Sequence, residues 1–203
     1  MRKIFVTGIG TNIGKTIVSA ILCEALKADY WKPVQAGNLT DTDSMRVKDL
    51  ISNEKSVIHP ESFLLSLPMS PHAAAAHDRV QIDLKKIQIP EAENTIIIEG
   101  AGGLMVPLNQ SQLVIDLITF LNAEVILVSQ NYLGNINHTL LSAQALETRK
   151  IKCLGIIFNG EKNGFSESAI TDFSKLKMLG RVNFESTIDR KTISQYSMRF
   201  RGI

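Results

Sequence analysis

The sequence predicts an α/β fold with a mainly parallel β-sheet that helices cover on both faces. Three observations support this prediction. Short, continuously apolar runs recur along the chain, apolar residues at helical spacing separate them, and a glycine-rich segment joins the first run to the first helical pattern. Strands buried on both faces of a parallel sheet are continuously apolar, whereas strands with one wet face alternate.

The first half of the chain supplies the strongest elements. The apolar run at residues 3–7 predicts a strand, and the spacing of apolar residues over 17–26 predicts a helix. A second strand is predicted at 29–33, followed by a helix at 43–51. The clearest strand is 95–99, where three isoleucines precede an acid and the sequence Gly-Ala-Gly-Gly.

The second half continues the same alternation. Strands are predicted at residues 124–129, 153–158 and, from a weaker pattern, 179–183. Helices are predicted at residues 114–121, 137–147 and 167–177. Residues 60–80 are the least regular part of the chain, and the tail of residues 187–203 has no assigned structure.

Composition and charge exclude several classes of protein. The 203 residues carry a net charge of +2 and no dense basic run, so a nucleic-acid surface is not expected. No apolar stretch has the length of a membrane span, and the N-terminal residues lead directly into a strand. The two cysteines lie in apolar runs, as buried thiols of a reduced compartment do. We expect a cytoplasmic protein with one nucleotide-binding domain over residues 1–203.

The segment VTGIGTNIGKT, residues 6–16, lies where a phosphate-binding loop is expected, between a strand and a helix. Five residues rather than four separate Gly8 from Gly14, so the loop is a variant of the usual pattern. Its glycines allow a tight turn with N–H groups directed inward. Lys15 can reach the β- and γ-phosphates, and the Thr16 hydroxyl can bind Mg²⁺. This loop predicts a nucleotide site of the P-loop NTPase type.

Four polar residues lie at or just after the carboxyl ends of predicted strands, where α/β folds place their functional groups. Glu99 is placed as a magnesium carboxylate. Asp43 is either a second magnesium carboxylate or the helix N-cap, and one residue can serve both roles. Taken alone, Lys32 fits a solvated lysine better than a catalytic one. Asn159 either binds an adenine edge or simply ends its strand.

Several motifs together resemble one family. The segments VTG-x-x-T-x-IGKT, WKPV, SPH, EGAGGL-x-VPL, LGNINH and GIIFNG occur in this order over residues 3–160. This combination resembles the dethiobiotin synthetases. The resemblance implies ATP- and Mg²⁺-dependent carboxylation of 7,8-diaminononanoate with CO₂ and closure of a ureido ring. The implied intermediates are a carbamate and a carbamic–phosphoric anhydride, and the products are dethiobiotin, ADP and phosphate.

The resemblance also implies roles for individual residues. Lys15 and Lys32 are the catalytic lysines, and the metal positions are Thr16, Asp43 and Glu99. The ATP-binding positions are Asn12, Ile13, Gly14, Lys15, Thr16, Ile17, Asp43, Glu99, Gly100, Ala101, Gly102, Asn159, Val182, Asn183 and Phe184. The substrate-binding positions are Thr11, Lys32, Ala36, Leu133, Gly134 and Asn137. The last three lie in a segment that receives the substrate carboxylate across a dimer interface, which implies a homodimer with composite active sites.

This chain departs from the family pattern in several places. Gly10 stands where an acid is common, Asn12 where glutamate is frequent, and Ala36 where serine or threonine is usual. The missing hydroxyl at Ala36 is replaceable by Gln35 or by water. The segment at residues 180–183, Gly-Arg-Val-Asn, lacks the usual proline of the adenine loop, which bears on nucleotide selectivity.

Three alternatives belong to other classes. A nucleotide switch of the cell-division or plasmid-partition type needs a lysine five residues before Lys15, where this chain has Gly10. A small GTPase needs an Asn-Lys-x-Asp motif, which Asn159 and the residues after it do not supply. A non-catalytic nucleotide-binding module is distinguished by whether ATP turnover needs the diamine.

Overall fold

The computed structural model describes residues 1–203 and contains nine strands and seven α-helices. The strands are β1 Lys3–Gly8, β2 Asp29–Trp31, β3 Val34–Ala36, β4 Ile58–His59, β5 Phe63–Leu65, β6 Ile96–Gly103, β7 Glu124–Gln130, β8 Cys153–Asn159 and β9 Met178–Val182. The helices are α1 Lys15–Leu26, α2 Asp43–Leu50, α3 Pro71–His77, α4 Val114–Leu121, α5 Asn135–Thr148, α6 Gly164–Ser174 and α7 Arg190–Ser197. None of these helices combines the length and apolar character needed to cross a lipid bilayer.

Seven strands form one sheet in the order β4-β2-β6-β1-β7-β8-β9, and β3 and β5 form a separate pair. Every ladder is parallel. Phe5 of β1 lies opposite Ile98 of β6 and Val125 of β7, so β1 is central. The chain builds one side of the sheet and then the other, which makes the carboxyl end of β1 a topological switch point. The predicted fold class is confirmed.

The central strands supply side chains to two apolar cores, one on each face of the sheet. Phe5 belongs to a cluster of 21 buried residues that includes residues of α3 and α4. Ile4 and Val6 belong to a cluster of 20 buried residues that includes residues of α1 and α7. Full burial of a side chain such as Phe5 contributes about 1.5–3 kcal/mol relative to exposure. Both faces are therefore apolar, which explains the continuous apolar character of the strands.

The prediction that Asp43 caps α2 is wrong. The N-cap is Thr42, whose side-chain oxygen accepts a hydrogen bond of 3.2 Å from the Met45 N–H. Asp43 is the first residue of the helix. Because Thr42 satisfies the end of the helix, the Asp43 carboxylate is available for contacts elsewhere.

Other predicted boundaries shift for local reasons. The helix predicted at 167–177 begins at Gly164 and ends at Ser174, because Lys175 adopts a left-handed φ of 59°. The strand predicted at 95–99 continues to Gly103, and the strand predicted at 29–33 ends at Trp31. The irregular stretch of residues 60–80 contains the short strand β5 and the helix α3.

The unassigned tail contains the helix α7, which packs on α1. Asp189 caps it, since its carboxylate accepts a hydrogen bond of 2.8 Å from the Thr192 N–H. Ile193 and Tyr196 on one face of α7 are buried in the same core as Phe200, which follows the helix. The sequence contains the pattern of this helix, namely a capping Asp189 followed by the apolar residues Ile193 and Tyr196. Polar residues between them make the pattern weak.

Candidate functional site

The glycine-rich loop at the end of β1 leads into α1 with a backbone that few residues other than glycine adopt. Asn12 has a φ of 58°, and Gly14, the N-cap of α1, has a φ of 92°. A Cβ on Gly14 would lie 2.2 Å from Nδ2 of Asn159, so both conformation and space require glycine there. No side chain caps α1, which leaves its first N–H groups available to an anion.

This loop forms one wall of a cleft of about 740 Å³ at the carboxyl edge of the sheet. The structure brings together most of the predicted site residues in its lining, namely Thr11, Asn12, Ile13, Gly14, Lys15, Thr16, Ile17, Lys32, Ala36, Asp43, Glu99, Ala101 and Gly102. Eight predicted residues lie outside this lining: Gly100, Leu133, Gly134, Asn137, Asn159, Val182, Asn183 and Phe184. The cleft therefore corresponds to the phosphate and reaction side of the predicted site.

Lys32 lies at the centre of a charged cluster in this cleft. Its Nζ is 2.8 Å from Oδ2 of Asp43 and 3.0 Å from Oε1 of Glu99. The Thr16 hydroxyl is within hydrogen-bond distance of both acids, 3.0 Å from Oδ1 of Asp43 and 2.9 Å from Oε1 of Glu99. The side chains of Lys32 and Glu99 are only 5% and 1% exposed, so the solvated-lysine alternative is wrong.

The electrostatics of the cluster keep Lys32 and Asp43 charged. Burial acts to lower the pKa of Lys32, but the charges of Glu99 and Asp43 outweigh it and raise the pKa above its ordinary value. Burial likewise acts to raise the pKa of Asp43, and Lys32 reverses that effect. An ion pair buried in this way is stable only because each charge has its partner.

Lys15 has a different environment. Its Nζ donates a hydrogen bond of 2.8 Å to the carbonyl oxygen of Gly10, within its own loop. Burial lowers its pKa to about 8, against the opposing charge of Glu99. A phosphate beside Lys15 would favour its charged form. The ammonium is thus positioned by the loop before any anion is present.

The oxygen atoms of Thr16, Asp43 and Glu99 fit a magnesium ion. They converge on one another through the Thr16 hydroxyl, and hydroxyl and carboxylate oxygens are the hard ligands that Mg²⁺ prefers. No group of three or more His, Cys, Asp or Glu side chains is placed to form a complete metal cage. Three protein oxygens would suit an ion that completes its shell with phosphate oxygens and water.

Tyr30, which no sequence motif indicated, and Gln35 hold this cluster from behind. The buried Tyr30 hydroxyl donates a hydrogen bond of 2.9 Å to Oε2 of Glu99. Gln35 accepts a hydrogen bond of 3.4 Å from the Asp43 N–H and donates one of 2.9 Å to the Gly37 carbonyl. The side chain of Gln35 therefore contacts the backbone, and Gln35 lines the cleft together with Ala36. The sequence feature that could have identified Tyr30 is its position two residues before Lys32.

The predicted base-side residues lie on the other side of the loop. Asn159 of β8 donates a hydrogen bond of 3.0 Å from Nδ2 to the Ile13 carbonyl. Val182 pairs with Asn159 in the sheet and is buried, and Phe184 beyond it is 78% exposed. Gly100 lies behind the cleft, where a Cβ would be 2.6 Å from the Phe5 ring.

Leu133, Gly134 and Asn137 lie around the start of α5, away from the cleft lining. Gly134 is the N-cap with a φ of 108°, and no side chain caps the helix. Leu133 is fully exposed. These residues present N–H groups and an apolar side chain on the surface of this chain. They lie away from the cluster of Lys32, Asp43 and Glu99.

Comparisons with known proteins identify the family of this chain. Residues 2–192 match the family model described as AAA domain. The chain is 51% identical to the ATP-dependent dethiobiotin synthetase of Christiangramia forsetii, with 98% of this chain and 96% of that protein covered. It is also 51% identical to the enzyme of the same name from Cytophaga hutchinsonii, with coverage of 98% and 97%. A similar protein from Paramagnetospirillum magneticum, of the same name, is 39% identical over 96% of this chain and 94% of that protein.

Solved structures of other proteins share the fold. A ParA family ATPase from Chlorobium tepidum matches with a TM-score of 0.60 at 10% identity, covering 98% of this chain and 99% of that chain. The septum site-determining protein MinD from Pyrococcus horikoshii, complexed with Mg-ADP, matches with a TM-score of 0.61 at 17% identity, covering 99% and 89%. Likeness at such identities extends to the architecture alone.

Proposed function

The chain belongs to the family of ATP-dependent dethiobiotin synthetases, and from this premise we propose that it converts 7,8-diaminononanoate, CO₂ and ATP to dethiobiotin, ADP and phosphate. It is an ATP-dependent ligase that closes a ring. The observation that carries the proposal is the buried contact of Lys32 with both Asp43 and Glu99 beside the phosphate loop. A nucleotide-binding module without this chemistry has no need of a buried lysine at that position.

The chemistry requires activation of a weak electrophile. One amine of the diamine captures CO₂ as a carbamate, and a carbamate oxygen attacks the γ-phosphorus of ATP. The bond from the γ-phosphorus to the bridging oxygen breaks, and ADP leaves. The second amine then attacks the carbonyl carbon of the carbamic–phosphoric anhydride, closes the ring and releases phosphate. Most of the catalysis is positioning and neutralisation of charge.

Each residue of the cleft has a role in this scheme. Lys32 stays protonated because of its two acidic neighbours, and we propose that it donates to the carbamate and to the γ-phosphate. Lys15 and the N–H groups of residues 12–17 hold the phosphates. Thr16, Asp43 and Glu99 would hold Mg²⁺, which when bound supplies positive charge to the phosphates. Thr11 and Ala36 line the cleft beside the reacting groups.

The remaining features complete the proposal. Asn159 and the loop of residues 182–184 would contact adenine, and Gly100, Ala101 and Gly102 would lie along the nucleotide. Leu133, Gly134 and Asn137 would receive the substrate carboxylate in a partner subunit, within a homodimer of composite active sites. The chain would act as one nucleotide-binding domain over residues 1–203 in the cytoplasm.

The test is release of ADP by the purified protein with Mg-ATP and bicarbonate, measured with and without 7,8-diaminononanoate. We expect ADP release that depends on the diamine and is matched by dethiobiotin, identified by mass spectrometry. ADP release that is independent of the diamine, or absent, would contradict the proposal. The Lys32→Gln protein, purified in the same way, controls for contaminating hydrolysis.

A further inference from the structure

A nearly buried ion pair lies behind the ends of β8 and β9, outside the reaction cluster. The Arg181 guanidinium pairs with the Glu167 carboxylate of α6, and their side chains are 12% and 9% exposed. The guanidinium carbon also lies 5.8 Å from the centroid of the Phe158 ring. Such a pair adds little net stability compared with apolar side chains of similar volume, because both charges lose their water. General stability therefore does not explain its presence.

Glu167 connects several segments at the carboxyl edge of the sheet. One carboxylate oxygen accepts hydrogen bonds of 2.6 Å from Nδ2 of Asn131 and 2.9 Å from the Asn163 N–H. The other pairs with Arg181. Burial acts to raise the pKa of Glu167, but these three partners outweigh it and hold the pKa below its ordinary value. One carboxylate thus ties together the residue after β7, the loop after β8, and β9.

The alternation of side chains connects this pair to the phosphate loop. Phe158 lies opposite Arg181 in the parallel ladder, and Asn159 lies opposite Val182. Successive residues of a strand point to opposite faces, so Asn159 and Val182 face away from the ion pair. Asn159 contacts the phosphate loop through the carbonyl of Ile13, at 3.0 Å. A shift of Arg181 would therefore move residues that contact the loop.

A second contact holds the segment at the end of β9, residues 182–184, from the opposite face of the sheet. The Tyr196 hydroxyl of α7 accepts a hydrogen bond of 3.0 Å from the Asn183 N–H. Arg181 is thus held by α6 on one face of the sheet, and Asn183 by α7 on the other. The chain keeps this loop in place without the proline that is usual there.

We propose that Arg181 and Glu167 are positioning residues for the nucleotide, which keep Asn159 and residues 182–184 in place on the base side of the phosphate loop. Lys32, Asp43 and Glu99 occupy the opposite side of that loop, where the γ-phosphate reacts, so the base must extend toward β8 and β9. The ligand class is an adenosine di- or triphosphate. The proposal rests on the proposed function only in taking a nucleotide as the substrate.

The experiment measures the Kd of Mg-ADP by calorimetry, without diamine, for three variants. In Arg181→Met/Glu167→Gln both charges are removed and the glutamine can still accept from Asn131 and Asn163. We expect Mg-ADP to bind about tenfold more weakly, equivalent to about 1.4 kcal/mol. Arg181→Lys should give an intermediate loss, because lysine keeps the charge but not the fork-shaped contact. Arg2→Met removes an ion pair at the opposite edge of the sheet and should bind as the unmutated protein does.

Steady-state kinetics separate positioning from a purely structural role. The KM for ATP should rise in proportion to the Kd, while kcat at saturating ATP and the KM for the diamine stay within about twofold. Unchanged Mg-ADP affinity in the folded double variant would overturn the proposal that the pair positions the nucleotide. That result would not contradict the proposed synthesis of dethiobiotin. Unfolding of both Arg181 variants would overturn it too, because the pair would then hold the fold. A weakened Kd supports positioning even if no dethiobiotin is formed.

Discussion

Glu99 and Glu24 are two almost fully buried carboxylates with different partners. Glu99 lies at the carboxyl edge of the sheet, and its oxygens contact the side chains of Lys32, Thr16 and Tyr30. Glu24 lies on α1 away from the cleft lining, and it accepts from the N–H groups of residues 52 and 53, from the Asn53 side chain and from Lys27. An acid that accepts from backbone N–H groups holds chain segments together, whereas one that contacts side chains alone can exchange those partners for a ligand. Backbone partners, rather than burial, distinguish these two acids.

The largest effect should come from Lys32→Gln, which removes the charge between the two acids of the cleft. We expect kcat for dethiobiotin formation to fall by about a thousandfold, as when a preorganised donor to developing charge is lost. The Kd of Mg-ADP should change little, because the phosphate loop is intact. Rapid-quench assays and calorimetry would measure the two effects.

Lys152→Gln is the matched control, since Lys152 is 72% exposed and pairs with Glu124 at the amino edge of the sheet. It should retain full turnover. Near-normal product formation by Lys32→Gln would remove that residue from the reaction and make its ion pairs structural, like the contacts of Glu24.

A smaller effect is expected from Tyr30→Phe, which keeps the ring but removes the hydrogen bond to Glu99. Glu99 would lose one of its three side-chain contacts, so we expect kcat to fall about tenfold. The Mg²⁺ concentration needed for nucleotide binding should rise, because Glu99 is held less firmly. Calorimetric titration of ADP at several Mg²⁺ concentrations would measure this shift. An unchanged Mg²⁺ dependence would show that Tyr30 only fills space.

Glu24→Gln should leave kcat unchanged and affect stability alone. Burial acts to raise the pKa of Glu24, but hydrogen bonds from Asn53, Ser52 and Lys27 outweigh it and lower the pKa to about 2 from 4.5. A lowered folded-state pKa contributes stability above the unfolded value, which is lost as pH falls toward the folded value. We expect the variant to be less stable by about 1–2 kcal/mol at pH 7.

Thermal unfolding from pH 7 to pH 2 would check this prediction. The difference in Tm between the unmutated protein and Glu24→Gln should be constant at neutral pH and shrink between about pH 4.5 and 2. A difference that grows as the pH falls would mean that the sign of this linkage is wrong. A changed kcat would show that the loop at residues 52 and 53 communicates with the cleft.

The long apolar strands and the helices between them were predictable because their patterns are local. The three isoleucines of β6 and the glycine-rich loop before α1 marked elements that the structure contains, whereas the order of the strands came from the structure alone. Strands such as β4, with two residues, carry too little periodicity to be recognised. Their position depends on neighbours that are distant in the sequence, and the strand propensity of single residues carries no information about such neighbours.

Candidate site residues were predictable from the phosphate-loop motif and, for Lys32, only from several motifs taken together. The loop and the ends of β2 and β6 supplied Lys15, Thr16, Lys32 and Glu99 to one cleft. Tyr30 was not predicted, because a tyrosine in an apolar strand is usually core and its hydroxyl partner lies 69 residues away. The contact between Arg181 and Glu167 also joins two elements whose packing no local pattern specifies.

The two outermost strands of the large sheet have a consequence for solubility. Exposed strand edges are templates for aggregation, which short edges and inward-facing charges discourage. Here one edge strand, β4, has only two residues, and the other, β9, carries the charged Arg181 among its five. We expect concentrated solutions to resist edge-to-edge association. Replacing Arg181 by methionine would make that edge apolar, so light scattering should accompany every binding measurement on this variant.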